Sequence, residues 1–235
     1  MNSTVKNSFS PQISTTSVSY GADRKLRVFS RFTKRPAPTW KRFFDVVVSV
    51  GLAVVLSPLL VTIAIFIRCV SGGPVLFRQI RLGEMGNDFE ILKFRTLYPS
   101  PSATEDHRKF VSNLSAGNQI IEKPNLAGRL IPGGKFLRSW SLDELPQLFN
   151  IIRGEMSLIG PRPDVLQWHD YEEWQLKRFE TLPGITGLWQ VSGKNRLTFG
   201  QMIELDIEYV ENQSLRLDFW IMLKTTRVLL FRDNG

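Results

Sequence analysis

The chain has 235 residues, of which 43% are apolar, enough to build one substantial domain with attachments. Its net charge of +8 arises in the first 42 residues, which hold nine basic residues and one acid, so the rest of the chain is neutral, with 21 residues of each sign. This distribution argues against a nucleic-acid-binding domain and favours a basic arm beside an anionic membrane surface, while the single cysteine, Cys69, excludes an intramolecular disulfide and a cysteine-based metal site.

Residues 1–40 form the first segment. Nine of the first twenty residues are Ser or Thr, and the apolar content is low, so we expect 1–40 to be a disordered basic tail. The first hydrophobic run begins near Phe43, too far from Met1 for a cleavable signal peptide. We expect the chain to divide into this tail, a membrane helix over 41–70 and a folded domain over 71–235.

A hydrophobic run follows the tail. It covers the 22 uncharged residues 46–67 and, at about 1.5 Å per residue, a straight helix of this length would reach across a bilayer core. Ser57-Pro58 lies at its centre, where proline removes a backbone hydrogen bond and bends the helix. Each half alone is too short to cross.

The charges around this run favour a re-entrant helix. Basic residues lie on both sides of it, namely Lys41, Arg42, Arg68, Arg78 and Arg81. Because basic residues are retained on the cytoplasmic side, a hairpin bent at Ser57-Pro58 satisfies both ends, and the Ser57 hydroxyl can bond to backbone groups that the bend frees. An ordinary kinked transmembrane helix is the alternative, and the sequence weighs the two evenly.

Short strands are predicted next. Over 74–97, small apolar groups alternate with Gly and charged residues, which indicates a β-hairpin that turns within 83–87. Residues 98–132 are polar and irregular, with a short helix expected over 104–114.

The remaining segments favour helices. They are predicted over 142–153, 163–181, 201–211 and 217–231. The last has a wide apolar face that suits a bilayer interface, although packing against the core would explain it equally. Together with the hairpin, these helices indicate an α+β fold.

Two adjacent carboxylates, Asp143 and Glu144, lie at the start of the 142–153 helix. Ser141-x-x-Glu144 fits a capping box, and acids are favoured at a helix start, so a structural role accounts well for Glu144. Asp143 is less fully explained. Because adjacent helical residues point about 100° apart, the two carboxylates can serve different functions at one phosphate centre.

Basic residues recur in short, rigid contexts. These residues are Lys93, Arg95, Arg138 and Arg162. Pro161 and Pro163 restrict the backbone on both sides of Arg162, which preorganises its guanidinium for bidentate contact with phosphate. Each alone is better explained as a surface salt bridge. Together with the acidic pair and the membrane segment, they indicate a diphosphate substrate bound at the lipid surface.

Six motifs follow one another in a fixed order over 41–231. They are Lys41-Arg42-x-x-Asp45 before the Ser57-Pro58 break, Phe77-x-Gln79-x-Arg81-x-Gly83-x-x-Gly86, Lys93-Phe94-Arg95-Thr96, Arg138-x-x-Ser141-Leu142-Asp143-Glu144-Leu145-Pro146-Gln147, Gly160-Pro161-Arg162-Pro163, and Pro183-Gly184-Ile185-Thr186-Gly187-Leu188-Trp189-Gln190-Val191. The set resembles the bacterial sugar transferase family, the monotopic phosphoglycosyl transferases, and its order and spacing make chance a poor explanation.

This resemblance implies a monotopic membrane protein. An N-terminal re-entrant helix hairpin, a small β-hairpin and interfacial amphipathic helices would hold a catalytic domain on the cytoplasmic face of the bacterial inner membrane. The implied reaction transfers a sugar 1-phosphate from a UDP-sugar to polyprenyl (undecaprenyl) phosphate and releases UMP, as the first membrane step of exopolysaccharide biosynthesis. UDP-galactose and UDP-glucose are the donors it favours. Membrane lipids and downstream glycosyltransferases are the other implied partners, and nucleic acid is not one.

The resemblance also implies roles for residues. Asp143, already ionised at neutral pH, would attack the β-phosphorus, and Glu144 would assist the carrier phosphate or the metal. The implied cofactor is magnesium (Mg2+), held by Asp143 and Glu144. The residues expected to bind substrate phosphates are Lys93, Arg95, Arg138, Pro161, Arg162, Pro163, Gln190 and Lys194.

Three positions depart from the family pattern. Lys194 stands where arginine is usual, Leu97 where methionine is, and Gln213 where tryptophan is. Lysine keeps the charge but lacks the planar fork, which weakens a bidentate phosphate contact at Lys194. The departures motivate a second hypothesis, a catalytically silent membrane anchor or regulatory subunit that binds polyprenyl diphosphates or a transferase partner. No residue pattern separates glucose from galactose.

Overall fold

The computed structural model describes residues 23–98, 108, 111, 127–193 and 196–231. The helices in these ranges are α1 (23–29), α2 (Thr39–Val55), α3 (Ser57–Ser71), α4 (Gly134–Ser139), α5 (Gln147–Arg153), α6 (Leu188–Val191), α7 (Phe199–Asn212) and α8 (Leu215–Phe231). Strands β1 (Leu76–Leu82) and β2 (Asp88–Phe94) pair antiparallel, and β3 (Ser157–Ile159) and β4 (Gly184–Thr186) pair parallel. The predicted α+β class is confirmed.

The hydrophobic run forms two helices, α2 and α3, bent by 63° at their junction. Pro58 has no N–H for the Val54 carbonyl, its usual helical partner, and the Ser57 hydroxyl donates to that carbonyl at 2.8 Å instead. The predicted break and the role of Ser57 are therefore confirmed. Within the described ranges, neither helix nor any other could cross a bilayer alone by length and composition, whereas this bent pair could.

Helix α2 has its polar side turned inward. Lys41, Asp45 and Ser49, spaced four residues apart, are buried, as expected for one helical face. The Lys41 ammonium pairs with Asp218 of α8 at 2.7 Å, and the Asp45 carboxylate accepts from the Leu158 N–H at 3.1 Å. The outer face exposes Phe43, Val47, Val50, Leu52, Val54 and Val55. This is the reverse of a soluble amphipathic helix.

The predicted β-hairpin is confirmed. Residues 83–87 form its turn, and Phe77 lies opposite Lys93 in the strand register while Arg81 lies opposite Phe89. Since side chains alternate between the faces of a strand, Arg81 and Lys93 share one face of the hairpin. Asn150 of α5 fixes the outer edge of β2, because its amide accepts from the Leu92 N–H at 3.0 Å and donates to the Glu90 carbonyl at 2.7 Å.

Two predicted helices need correction. Short 3-10 turns, Trp168–Asp170 and Glu173–Glu180, replace the α-helix predicted over 163–181. The helix predicted over 142–153 starts as the 3-10 turn Leu142–Glu144, and α5 begins only at Gln147. Ser141 lies at φ 55° and makes no capping hydrogen bond. The predicted capping box is therefore wrong.

The last two predicted helices are confirmed as α7 and α8, each slightly longer than expected. Helix α7 begins with a capping box that was not predicted. The Thr198 hydroxyl accepts from the Gln201 N–H, and the Gln201 side chain accepts from the Thr198 N–H. Apart from residues 108 and 111, the short helix predicted over 104–114 lies outside the described residues.

Residues 23–36, here called the N-terminal arm, pack on the domain. Phe29 is buried beside Phe179, with ring centroids 6.1 Å apart. Lys25 pairs with Asp88 at 3.0 Å. The disorder expected for 1–40 therefore does not hold for this arm, whereas residues 1–22 lie outside the described residues.

Candidate active site

Glu144 is the centre of a compact charge cluster. The Lys93 ammonium lies 2.9 Å from its Oε1, and the Arg162 guanidinium reaches both oxygens, with Nη1 3.1 Å from Oε2. These two cations hold the pKa of Glu144 far below its usual range, despite the burial that opposes ionisation. Glu144 is therefore ionised at neutral pH, and both of its oxygens are already bound.

Asp143, beside it, has a contrasting environment. Its side chain is 8% exposed, and in the described parts of the chain no hydrogen bond reaches its carboxylate. Burial, followed by the charge of Glu144, raises the pKa of Asp143, while Lys93, Arg138 and Arg162 oppose that rise. The result is a poorly solvated carboxylate with free oxygens, which can act as a nucleophile.

Local structure explains why these groups meet. The sharp turn at Ser141 brings the 3-10 turn Leu142–Glu144 over the end of β2, where Lys93 lies. Arg162 follows β3, and its guanidinium also donates to the Ile185 carbonyl beside it at 3.1 Å. Backbone contacts fix this segment too, since the Pro161 carbonyl accepts from the Gly184 N–H at 2.9 Å.

Arg178 fixes the backbone at Arg162. Its guanidinium donates to the Arg162 carbonyl at 2.6 Å and pairs with Asp164 and Asp206, each at 2.7 Å. The Tyr171 hydroxyl lies 3.1 Å away. Arg178 is 3% exposed, so this is a buried positioning network that the sequence patterns did not indicate.

The other predicted phosphate-binding residues lie in different places. Arg138 lies with the cluster, since its charge acts on Asp143 and its guanidinium contacts the Thr96 hydroxyl at 3.5 Å. Arg95 does not join it: its guanidinium is directed to the C-terminal end of α3, where it donates to Ser71. Gln190 lies in α6 with its side-chain Oε1 buried and unbonded among the described residues. Lys194 lies outside them.

Arg81 is a further cation at this site that the predicted set omitted. It is 8% exposed, and its charge acts on Lys93 while Glu144 and Arg162 act on it. The Phe77-to-Gly86 motif contains Arg81, but its position beside the carboxylates depends on packing that periodicity does not show.

The residues present fit a magnesium ion only in company with substrate. Within the described ranges, no group of three or more carboxylate, histidine or cysteine side chains could hold a metal by itself. Mg²⁺ commonly binds one or two carboxylates together with substrate phosphates. Asp143 has free oxygens for this, whereas Glu144, the second predicted ligand, is already bound to Lys93 and Arg162.

Comparisons with known proteins assign the chain to a family. Residues 37–232 match the profile of the bacterial sugar transferase family. The chain is 35% identical over 217 residues to the Salmonella typhimurium "Undecaprenyl-phosphate galactose phosphotransferase", covering 89% of this chain and 44% of that protein. It is 39% identical over 191 residues to the Sinorhizobium fredii "Exopolysaccharide production protein ExoY", covering 79% and 83%.

A third relative links the family to another sugar. The chain is 38% identical over 204 residues to the Caulobacter vibrioides "UDP-glucose:undecaprenyl-phosphate glucose-1-phosphate transferase", covering 83% of this chain and 71% of that protein. The chain thus spans less than half of the Salmonella protein but most of the other two. The profile match covers the bent helices, both sheets and the charge cluster. The chain belongs to the bacterial sugar transferase family.

Proposed function

We propose that this protein transfers a sugar 1-phosphate from a UDP-sugar to undecaprenyl phosphate and releases UMP, as the first membrane step of exopolysaccharide synthesis. The observation that carries the proposal is that two adjacent carboxylates differ: Lys93 and Arg162 form ion pairs with Glu144, whereas the buried Asp143 has none among the described residues. The names of two relatives support the same chemistry, one with galactose and the other with glucose, and the name of the third refers to exopolysaccharide production.

The first step uses Asp143 as nucleophile. One carboxylate oxygen attacks the β-phosphorus of the donor and forms an acyl-phosphate bond, while the bond from that phosphorus to the bridging oxygen breaks and UMP leaves with the electron pair. In the second step, an oxygen of the carrier phosphate attacks the same phosphorus. The aspartyl bond breaks, the carboxylate is restored and the lipid diphosphate sugar is released.

The charge of the cluster suits this reaction. Four cations, Arg81, Lys93, Arg138 and Arg162, lie among the two carboxylates, Asp143 and Glu144, and leave a net charge of +2. A UDP-sugar diphosphate carries two negative charges, so this positive charge favours its binding. Preorganised positive charge also stabilises the leaving UMP.

A magnesium ion bound at Asp143 and the donor phosphates would neutralise phosphate charge and favour departure of UMP. The side chains of the cluster have separate roles. Lys93 and Arg162 hold Glu144 in place, and Arg138, whose charge acts on Asp143, would contact the donor phosphates.

We also propose that the bent pair α2 and α3 enters the inner leaflet of the bacterial inner membrane and returns, leaving the catalytic domain in the cytoplasm. Apolar side chains are exposed along the outer faces of both helices, including Phe43, Val55, Val61 and Ile65. Soluble proteins rarely expose an apolar surface of this extent. Exposed Phe219, Trp220 and Leu223 on α8, which the Lys41–Asp218 pair ties to α2, suit the lipid interface.

The decisive experiment combines the purified full chain with radiolabelled UDP-galactose or UDP-glucose and undecaprenyl phosphate in detergent. We expect label in the lipid and an equal amount of UMP. A folded protein that releases no UMP from either donor, or from a wider panel of UDP-sugars, would favour the silent anchor hypothesis instead.

A further inference from the structure

Arg81 is a buried cation without an anionic partner among the described residues. There its guanidinium makes one hydrogen bond, from Nη2 to the Gln79 side-chain oxygen at 2.6 Å. Its Nε is buried without a partner, and no carboxylate of the described residues lies within ion-pair distance. A neutral amide offsets little of the cost of burying a full positive charge.

Other buried cations of this protein are compensated. Arg178 pairs with two carboxylates and Lys41 with one. Arg95 also lacks a carboxylate, but it lies at the C-terminal end of α3, where helix carbonyls carry partial negative charge. Arg81, on a strand, has no such dipole. Burial lowers the pKa of Arg81 to about 10, an effect that the charge of Asp164 opposes only in part.

The position of Arg81 indicates what its missing partner is. Arg81 shares a face of the β1–β2 hairpin with Lys93, and Arg162 and Glu144 are among the charges that act on it. Asp164, a nearby carboxylate, is already bound to Arg178. Among the described residues, no carboxylate is left to pair with Arg81, and its side of the hairpin is the one where the substrate phosphates bind under the proposed function.

We propose that Arg81 is a phosphate-binding residue of the active site, held by Gln79, whose charge is balanced only when a substrate phosphate is bound. This inference rests on the proposed function for its location. The phosphate belongs to the nucleotide donor or to the lipid carrier, which share this chemistry.

If Arg81 binds phosphate, replacing it should affect the Tm of the free protein differently from replacing a structural arginine. A structural arginine stabilises the fold, so its removal lowers Tm. A buried cation that waits for a ligand destabilises the free protein, so replacing it by an apolar side chain of similar length should raise Tm while it weakens phosphate binding.

The test compares the full-length parent, Arg81→Met and Arg78→Met in detergent by thermal unfolding, with and without inorganic pyrophosphate. Arg78 is the matched control, because it lies three residues away on the opposite face of β1, exposed and paired with Glu90 at 3.0 Å. We expect the parent and Arg78→Met to show the same pyrophosphate-induced rise in Tm. Arg81→Met should unfold at or above the parental Tm and bind pyrophosphate at least about tenfold more weakly.

Binding of UMP and of farnesyl phosphate then identifies the source of the phosphate. Weaker binding of UMP alone assigns Arg81 to the donor, and weaker binding of farnesyl phosphate alone assigns it to the carrier. If Arg81→Met does not fold, Arg81→Lys serves instead, with binding about threefold weaker or worse expected because the planar fork is lost.

Two results would overturn the proposal. One is a parent that pyrophosphate does not stabilise, and the other is an Arg81 variant that binds pyrophosphate as the parent does. Neither depends on turnover. A parent that binds pyrophosphate through Arg81 but releases no UMP from UDP-sugars would instead overturn the proposed function.

Discussion

Arg162 grips Glu144 at both carboxylate oxygens, with Nη1 3.1 Å from Oε2 and Nη2 in contact with Oε1. Lys93 adds a third contact, so the carboxylate has little capacity left for substrate. The neighbouring Asp143 receives none of these contacts. Two adjacent acids thus differ in pKa. Burial and the charge of Glu144 raise the pKa of Asp143, whereas direct contacts with Arg162 and Lys93 lower that of Glu144.

Asp143→Asn should abolish transfer, with UMP release at least about a thousandfold slower, because an amide cannot replace the attacking carboxylate. The variant should unfold at or above the parental Tm, since it removes a charge that burial disfavours. UMP release and thermal unfolding measure the two effects. Glu144→Gln is the comparison: it leaves two cations unpaired and should lose about 2 kcal/mol of stability. Parental transfer by Asp143→Asn would disprove its role as nucleophile.

Acidification should stop the first step before the protein unfolds. The raised pKa of Asp143 means that its carboxylate is protonated above the ordinary value of 3.8, and the protonated form cannot attack. Protonation of Asp143 also favours the folded state, a contribution that is lost as pH rises through the raised pKa. Glu144 acts in the opposite sense. Its lowered pKa stabilises the fold above the ordinary value of 4.5, and this contribution declines progressively as pH falls from 4.5 through the lowered pKa.

The corresponding measurement is the pH dependence of the UMP burst, with circular dichroism at each pH. We expect the burst to decline with an apparent pKa above 3.8 while the spectrum stays native. A burst that stayed constant down to that pH would contradict the assignment.

Arg162→Lys should reduce kcat/KM by about 10- to 100-fold, although the charge is kept. Lysine cannot reach both oxygens of Glu144, so the acid gains freedom to move toward Asp143. Steady-state kinetics with a UDP-sugar measure the loss. Arg153→Lys, an exposed change at the end of α5, provides the control and should match the parent. Equal rates in both variants would show that the two-point contact is unimportant.

Asp218→Asn should destabilise the protein by about 3 kcal/mol, because it leaves the Lys41 ammonium buried without its partner. Both side chains of this pair are at most 5% exposed. Asp88→Asn breaks the more exposed pair with Lys25, and we expect it to cost under about 1 kcal/mol. Denaturant unfolding in detergent compares the two. Similar losses would mean that the link between α2 and α8 contributes little.

Cysteine labelling tests the course of the bent helices. In a Cys69→Ser background, Val55→Cys places a thiol beside the bend, and Arg78→Cys places one beyond α3. A re-entrant pair predicts that a membrane-impermeant maleimide labels Arg78→Cys only from the cytoplasmic side and Val55→Cys from neither side. Labelling of Val55→Cys from the periplasm would show that the run spans the bilayer.

The sequence predicted elements whose causes are local. Pro58 fixes the bend, Gly83 to Asn87 form the hairpin turn, and the apolar spacing of 201–211 and 217–231 matches α7 and α8. The failure over 163–181 is also physical: the Asp164 carboxylate accepts from the Leu166 N–H at 2.9 Å and closes a turn where the helix should start. That competition depends on side-chain geometry that periodicity does not detect.

The candidate site shows the same division. Motifs identified Asp143, Glu144, Lys93 and Arg162, which the structure brings together. They could not separate Arg95 from Lys93 two residues earlier. Strand β2 ends at Phe94, so the alternation that places Lys93 does not extend to Arg95, which binds Ser71. Nor could they find Arg178, whose role depends on a carbonyl sixteen residues away.

The packing of Phe29 limits which segments can be exchanged between relatives to make a chimera. It lies upstream of the region that matches the family, yet a methyl group added to Gly86, inside that region, would come within 2.3 Å of its ring. Gly86 also adopts φ +75°, which side chains rarely tolerate. A chimera that grafts only residues 37–232 would therefore leave an aromatic-sized hollow beside Phe179, and should aggregate unless its own upstream segment fills it.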